Sequence, residues 1–264
     1  MGNISNHSVF EVQNLRIGYV HKRSNTVVAD NLNFSLKEGE LTAIIGVNGA
    51  GKSTLLRTMA RVQPKLSGAI NVGSLALEEL KSEQLATRMS IVLTEPMATK
   101  NLTVKELISL GRQPYTNWLG VLTQTDLLKI QEAIKMVELT AYQDRKCYEL
   151  SDGQLQKVLI ARALAQDTSI IFLDEPTTHL DLYHKAQILK MLKRIAHTLQ
   201  KTIVYTTHEI DIAIQLCDKM LILDQPISHF GSPCELIENE HFQSLFPSDT
   251  IGFDATTGSF KIKK

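Results

Sequence analysis

The chain has 264 residues, with 28 basic against 28 acidic and so a formal net charge of zero. That length allows one large core or a core with a subdomain, and the charge balance argues against a chain-wide surface for nucleic acid or anionic lipid. No apolar run approaches the roughly 18 residues that span a bilayer. The opening MGNISNHSVFEVQ lacks the basic and apolar regions of a signal peptide, and Asn6 stands where an acylation signal needs Ser or Thr. Cys147, Cys217 and Cys234 are widely spaced with no CxxC pair, which fits reduced thiols rather than a disulfide framework or a zinc site.

From residue 10 to 45 the sequence alternates strand-like runs with turns: FEVQNLRIGY, VVADNLNFSL and the apolar LTAIIG. The next segment, GVNGAGKST, fits G-x-x-x-x-G-K-[ST] between an apolar strand and a helix predicted from Lys52 to about Val62. Gly46, Gly49 and Gly51, with Asn48 and Ala50 between them, let the backbone wrap tightly enough to aim N–H groups at phosphate oxygens. Lys52 adds a cation, Ser53 a hydroxyl for Mg²⁺, and Thr54 closes the motif. This predicts nucleoside triphosphate binding. Further strands are predicted at AINV and MSIVL.

From about Pro96 to Gln166 the pattern turns helical, in TVKELISLGR, QTDLLKIQEAIKMVEL and the run that follows LSDGQ. LSDGQ, residues 150–154, allows two readings. Ser151 and Gln154 have the spacing of a capping box, and the same exposed helix terminus could instead hold an anion.

Strand-helix alternation then resumes. IIFLDEP is an apolar strand ending in two carboxylates: Asp174 as a Mg²⁺ partner, and Glu175 as a general base or water-positioning group. A helix from Leu182 to Leu199, the strand TIVYTTH, a helix from near Ile210 and the strand KMLILD follow. His208 closes TIVYTTH, and parallel strands would bring their carboxyl ends, with Lys52, Glu175 and His208, to one edge. Such uniformly apolar short strands between helices predict a largely parallel sheet covered on both faces. The tail from Pro247 is turn-rich, with TIGFD and SFKIK as a candidate hairpin.

The ordered set GVNGAGKST, LSDGQ, IIFLDEP, THLD and TTH resembles the ATPase subunit of ATP-binding cassette (ABC) transporters over residues 10–240. The resemblance implies an α/β P-loop NTPase core with a mostly parallel sheet, an antiparallel β-subdomain and a helical insertion subdomain. The domain would occupy residues 1–245, with the insertion at about 96–166 and a tail at 246–264. It implies ATP and Mg²⁺ as cofactors, with Tyr19 stacking on adenine. Lys52, Ser53 and Thr54 would serve the phosphates and Mg²⁺, Asp174 would be the Mg²⁺-associated acid, Glu175 the catalytic base and His208 the γ-phosphate switch. Asp181 in THLD would communicate across a dimer, and Ser151, Gly153 and Gln154 would form the family signature.

Two positions depart from the family pattern. Asp152 replaces the first glycine of the usual LSGGQ signature. Glu95, in a loop that normally carries a glutamine, could still ligate Mg²⁺ but adds negative charge beside ATP. A narrower resemblance, LGR-x-P-Y within LTVKELISLGRQPYTNWLG, points to importers of iron complexes, including siderophores and haem, and of cobalamin, with this segment facing a membrane subunit. The implied partners are a second copy of the chain packed head to tail, integral membrane permease subunits and, indirectly, a substrate-binding protein, but no nucleic acid. The implied location is the cytoplasmic face of the cell membrane. An exporter subunit and a non-transport ATPase of the same type are the competing readings.

Overall fold

The computed structural model describes residues 8–20, 24–95, 100–224, 227–246 and 249–263. Pro96 and Pro247, where the sequence places the start of the helical insertion and the turn-rich tail, lie outside the described residues.

The chain opens with two long strands, β1 (Ser8–Val20) and β2 (Asn25–Lys37), followed by β3 (Leu41–Ile45) and helix α1 (Lys52–Met59). Helix α1 stops short of Val62 because Arg61 turns to φ 57°, where its guanidinium donates to the Leu77 carbonyl. Next come β4 (Ser67–Val72), β5 (Leu75–Ala76), α2 (Ser82–Arg88) and β6 (Met89–Val92). The helices α3 (Val104–Ser109), α4 (Gln124–Met136) and α5 (Asp152–Ala165) follow. Among the described residues 100–166 no strand forms beyond a single bridge between Thr103 and Lys146. The chain then runs through β7 (Ile170–Leu173), α6 (Leu182–Leu199), β8 (Thr202–Thr206), α7 (Ile210–Leu216), β9 (Lys219–Asp224), β10 (Ile227–Gly231) and α8 (Pro233–Glu238). The predicted hairpin forms as β11 (Ile251–Asp254) and β12 (Ser259–Ile262), paired antiparallel.

The central sheet has the order β10-β9-β3-β8-β7-β6, parallel throughout except for β10. Its parallel strands are largely apolar and buried because both faces are covered. Alternate residues divide between two cores. Ala43, Ile45, Ile171, Leu173, Ile203 and Tyr205 face α3 to α8, whereas Ile44, Ile170, Phe172 and Val204 face α1 and the antiparallel sheet β2-β1-β4-β5. Phe10 of β1 meets Phe172 edge-on, with ring centroids 5.7 Å apart. Full burial of one such ring contributes about 1.5–3 kcal/mol.

α6 packs through Ile188, Leu189, Met191, Leu192, Ile195 and Ala196, the three- and four-residue spacing of one helix face. The predicted free thiols are present: Cys147 and Cys217 are buried and Cys234 is exposed. Burial pushes the Cys217 thiol up to about 12, so it stays protonated and inert.

One topological fact positions the site. β3, β8 and β7 are consecutive neighbours in the sheet, with Ile44 opposite Thr206 and Leu173 opposite Tyr205. Their carboxyl ends therefore finish level, side by side.

Candidate functional site

The loop after β3 folds as its glycines require. Gly51 caps α1 at φ 100°, and a Cβ there would lie 2.3 Å from Val28 Cγ1. A Cβ on Gly46 would lie 2.7 Å from the Leu223 carbonyl oxygen of β9. Only glycine fits either place.

The helix this loop feeds is left open at its amino end. α1 has no side-chain cap and no acidic residue in its first turn, whereas α3, α4, α5, α6 and α8 are each capped by a side chain. The free N–H groups and the positive dipole end suit a phosphate. Lys52 is buried and donates from Nζ to the carbonyls of Gly46 at 2.9 Å and Val47 at 3.2 Å. Those bonds use two of the three ammonium donors. Burial lowers the Lys52 pKa, against the opposing pull of Glu175 and Asp174.

The end of β7 supplies the acids. Asp174 is buried, and its Oδ1 accepts from Ser53 Oγ and Thr206 Oγ1, each at 2.8 Å. Thr206 Oγ1 also accepts the Glu175 backbone N–H at 2.8 Å, so one hydroxyl fixes both acids. Glu175 sits at φ 46°, a left-handed conformation uncommon outside glycine, of the kind that concentrates at functional positions. Its Oε2 accepts from Thr178 Oγ1 at 3.0 Å and lies 3.7 Å from His208 Nδ1. His208 Nε2 stands 3.3 Å from Glu209, which also pairs with Lys185.

Lys52, Ser53, Thr54 and Glu175 line a cleft of about 260 Å³ that Tyr19 and Val28 of the antiparallel sheet close on one side. Tyr19 is half-exposed and its hydroxyl lies 3.0 Å from Thr54 Oγ1, leaving a ring at the mouth. Asn48 and Gly49 line the same cleft; Ala50 is buried and spends its N–H on the Val47 carbonyl at 3.1 Å.

Five predicted residues stand elsewhere. Ser151, Gly153 and Gln154 line a second cleft, of about 270 Å³, that shares no residue with the first. The capping box of LSDGQ is formed: Gln154 N–H donates to Ser151 Oγ at 3.3 Å, and Ser151 N–H to Gln154 Oε1 at 3.1 Å. Asp152 is exposed in the first turn. Asp181 caps α6, accepting the His184 N–H at 2.9 Å. Glu95 is drawn to Arg57 Nη2 at 3.1 Å, with two-thirds of its side chain exposed, and no hydrogen bond ties it to Ser53 or Asp174.

The segment LGR-x-P-Y is divided: Leu110 and Tyr115 are exposed, whereas Arg112 turns inward. Arg112 is buried, donating to Asp126 at 2.7 Å and to the Ala165 carbonyl at 2.8 Å, with Tyr115 stacked on its guanidinium. Further exposed apolar side chains follow at Trp118, Leu119 and Val121. Sequence reasoning missed Val28, which lines the first cleft, and Thr206 and Thr178, which hold the two acids. Thr206 lies within the TTH motif and was legible there; Val28 required the antiparallel sheet to be placed.

The ABC transporter family matches residues 29–178, which include the cradle, the signature and the acidic pair. The chain belongs to the ABC transporter family. The petrobactin import ATP-binding protein FpuD of Bacillus anthracis is 37% identical over 89% of this chain and 85% of its own length. The iron(3+)-hydroxamate import ATP-binding protein FhuC of Bacillus subtilis is 35% identical, covering 90% and 87%. Among solved structures, a dimeric ATP-binding cassette in a post-hydrolysis state with ADP and Pi superposes with a TM-score of 0.71 at 27% identity, covering 85% of this chain and 98% of its own. The protein is thus an ATP-binding ABC subunit with ATPase activity. Among the described residues no helix is long and apolar enough to cross a membrane.

Proposed function

We propose that the chain powers import of an iron chelate such as a siderophore complex or haem, or of cobalamin, through separate membrane subunits. Two copies would work head to tail on the cytoplasmic face of the membrane. One observation carries the dimer reading: the nucleotide cleft and the signature cleft have no residue in common, so a nucleotide in the first lies outside the second. Pairing two copies lets each signature close on the other's ATP. The printed functions of FpuD and FhuC support the iron-chelate reading.

Within a site, Lys52, the loop N–H groups and the α1 dipole neutralise the triphosphate, which is most of what phosphoryl transfer to water demands. Ser53 Oγ and the Asp174 carboxylate form an oxygen-only donor set suited to Mg²⁺. Mg²⁺ would add charge neutralisation at the β- and γ-phosphates. Glu175, held by Thr206 and Thr178, takes the proton of the attacking water, and His208 senses the γ-phosphate. Tyr19 stacks on adenine. Glu95 reaches Mg²⁺ only by giving up Arg57.

The helices between residues 100 and 166 form the subdomain that carries the signature, and residues 249–263 form a tail beyond the ATPase domain. The exposed Trp118, Leu119 and Val121 suit a permease surface.

The test is Glu175→Gln with MgATP, read by sedimentation and phosphate release. The variant binds ATP, accumulates as a dimer and scarcely hydrolyses; brisk turnover would remove Glu175 from its role as base. Uptake of radiolabelled ferric siderophore, haem and cobalamin by cells carrying or lacking the chain tests the cargo.

A further inference from the structure

The signature cleft contains a side chain with no role so far. His184 lies in the first turn of α6, and its Nδ1 is 2.9 Å from both carboxylate oxygens of Asp181. A carboxylate only accepts, so Nδ1 carries the proton and the opposite edge of the ring, Cδ2 and Nε2, is turned away from the acid. That edge reaches α5. His184 Cδ2 lies 3.4 Å, and Cγ 3.7 Å, from where a Cβ on Gly153 would stand. The imidazole therefore spans from the Asp181 turn to the signature terminus, lining the cleft with Ser151, Gln154 and Lys157. Tyr183 meets the ring edge-on at 5.5 Å. Leu182 and Tyr183, on the same turn, are about 70% and 67% exposed, an apolar surface that a second copy would cover.

We infer that His184 is a positioning residue: it ties the Asp181 turn to the α5 terminus, so that both reach the partner's nucleotide as one rigid surface. The inference rests on the reading that the signature and Asp181 act across a dimer. Asp181 already accepts the backbone N–H of His184, and the ring adds a second donor to the same carboxylate. That ring edge then fixes how far the turn stands from Gly153. Without the ring the turn keeps its helix cap but loses its register against α5.

The experiment uses full-length protein in the Glu175→Gln background. It measures ATP affinity of the monomer, MgATP-driven dimerisation by sedimentation, and thermal melting as a control for folding. His184→Ala is expected to leave monomer ATP affinity within about twofold and to weaken dimerisation about tenfold or more, the loss of one hydrogen bond to a charged group. With Glu175 restored, His184→Ala is expected to lower kcat while KM for ATP holds. His184→Asn, whose amide replaces the Nδ1 donor to Asp181 but not the ring that reaches Gly153, recovers part of the dimerisation; His184→Gln, which puts its nitrogen near Nε2, recovers none. Dimerisation of His184→Ala at the parent level would overturn the inference. Recovery by Gln but not Asn would overturn it too, and would assign Nε2 a direct contact with phosphate. If His184→Ala melts early, the Asn and Gln variants still decide between these outcomes. Failure of the parent to dimerise with MgATP would strike the dimer reading itself, and this inference with it.

Discussion

Lys52→Ala separates the nucleotide site from the fold that carries it. In the structure the ammonium donates to two loop carbonyls and stands between the cradle and two acids, Asp174 and Glu175. Bound to ATP, it would make a charge-assisted hydrogen bond worth about 1.5–3 kcal/mol, so its loss weakens affinity about 10- to 150-fold. The figure is a lower bound, because the phosphates would then face Asp174 and Glu175 with no cation between. Stability moves differently. The fold loses two hydrogen bonds but no longer desolvates an ammonium, so the net change stays within about 1 kcal/mol. The assay pairs calorimetric titration with ATP against urea unfolding without nucleotide. Normal ATP affinity would refute the cradle assignment. A fall in affinity matched by a large drop in the urea midpoint would refute the claim that Lys52 acts on nucleotide rather than on the fold.

Gly153→Asp keeps the Ser151–Gln154 cap and finds ordinary contact distances for its Cβ, so ATP binding by the monomer stays normal while MgATP-driven closure is abolished; surviving closure, read by sedimentation, would leave LSDGQ as a helix cap alone. Arg112→Ala strands the buried Asp126 carboxylate and costs about 3–5 kcal/mol in urea unfolding, with ATP affinity of the folded protein unchanged. Replacing both partners together, Arg112→Met with Asp126→Leu, recovers most of that loss. The Glu235 carboxyl, accepting the N–H of Ser232, the residue whose hydroxyl caps α8, and paired with Lys219, is held down from its ordinary 4.5 to about 2. Its contribution is therefore complete above 4.5 and lost as pH falls toward 2. Glu235→Gln flattens the pH dependence of unfolding across that window, read by circular dichroism.

What could be read from the letters alone was local. The cradle needs glycines at fixed offsets between one strand and one helix, so GVNGAGKST announced both the structure and its ligand. The bounds of α6, Leu182–Leu199, were legible in the sequence, and the Ser151–Gln154 box followed from a three-residue interval. α8 escaped notice although Ser232, Pro233 and Glu235 spell the same kind of start; β10, a short edge strand, had no comparable signal.

Tertiary structure decided everything that joins distant segments. Glu95 is drawn to Arg57, 38 positions away, rather than toward Asp174. Arg112 turns inward to Asp126 and Ala165, leaving Trp118 and its neighbours outside. The adjacency of β3, β8 and β7 gathers Lys52, Glu175 and His208 at one edge. The physical division is one of range: caps, turns and helix periodicity follow from backbone geometry over a few residues, whereas the partner of a long, charged side chain is chosen by packing. LSDGQ lies on both sides of that division, its cap written in the sequence and its nearness to His184 set only when α5 and α6 pack together.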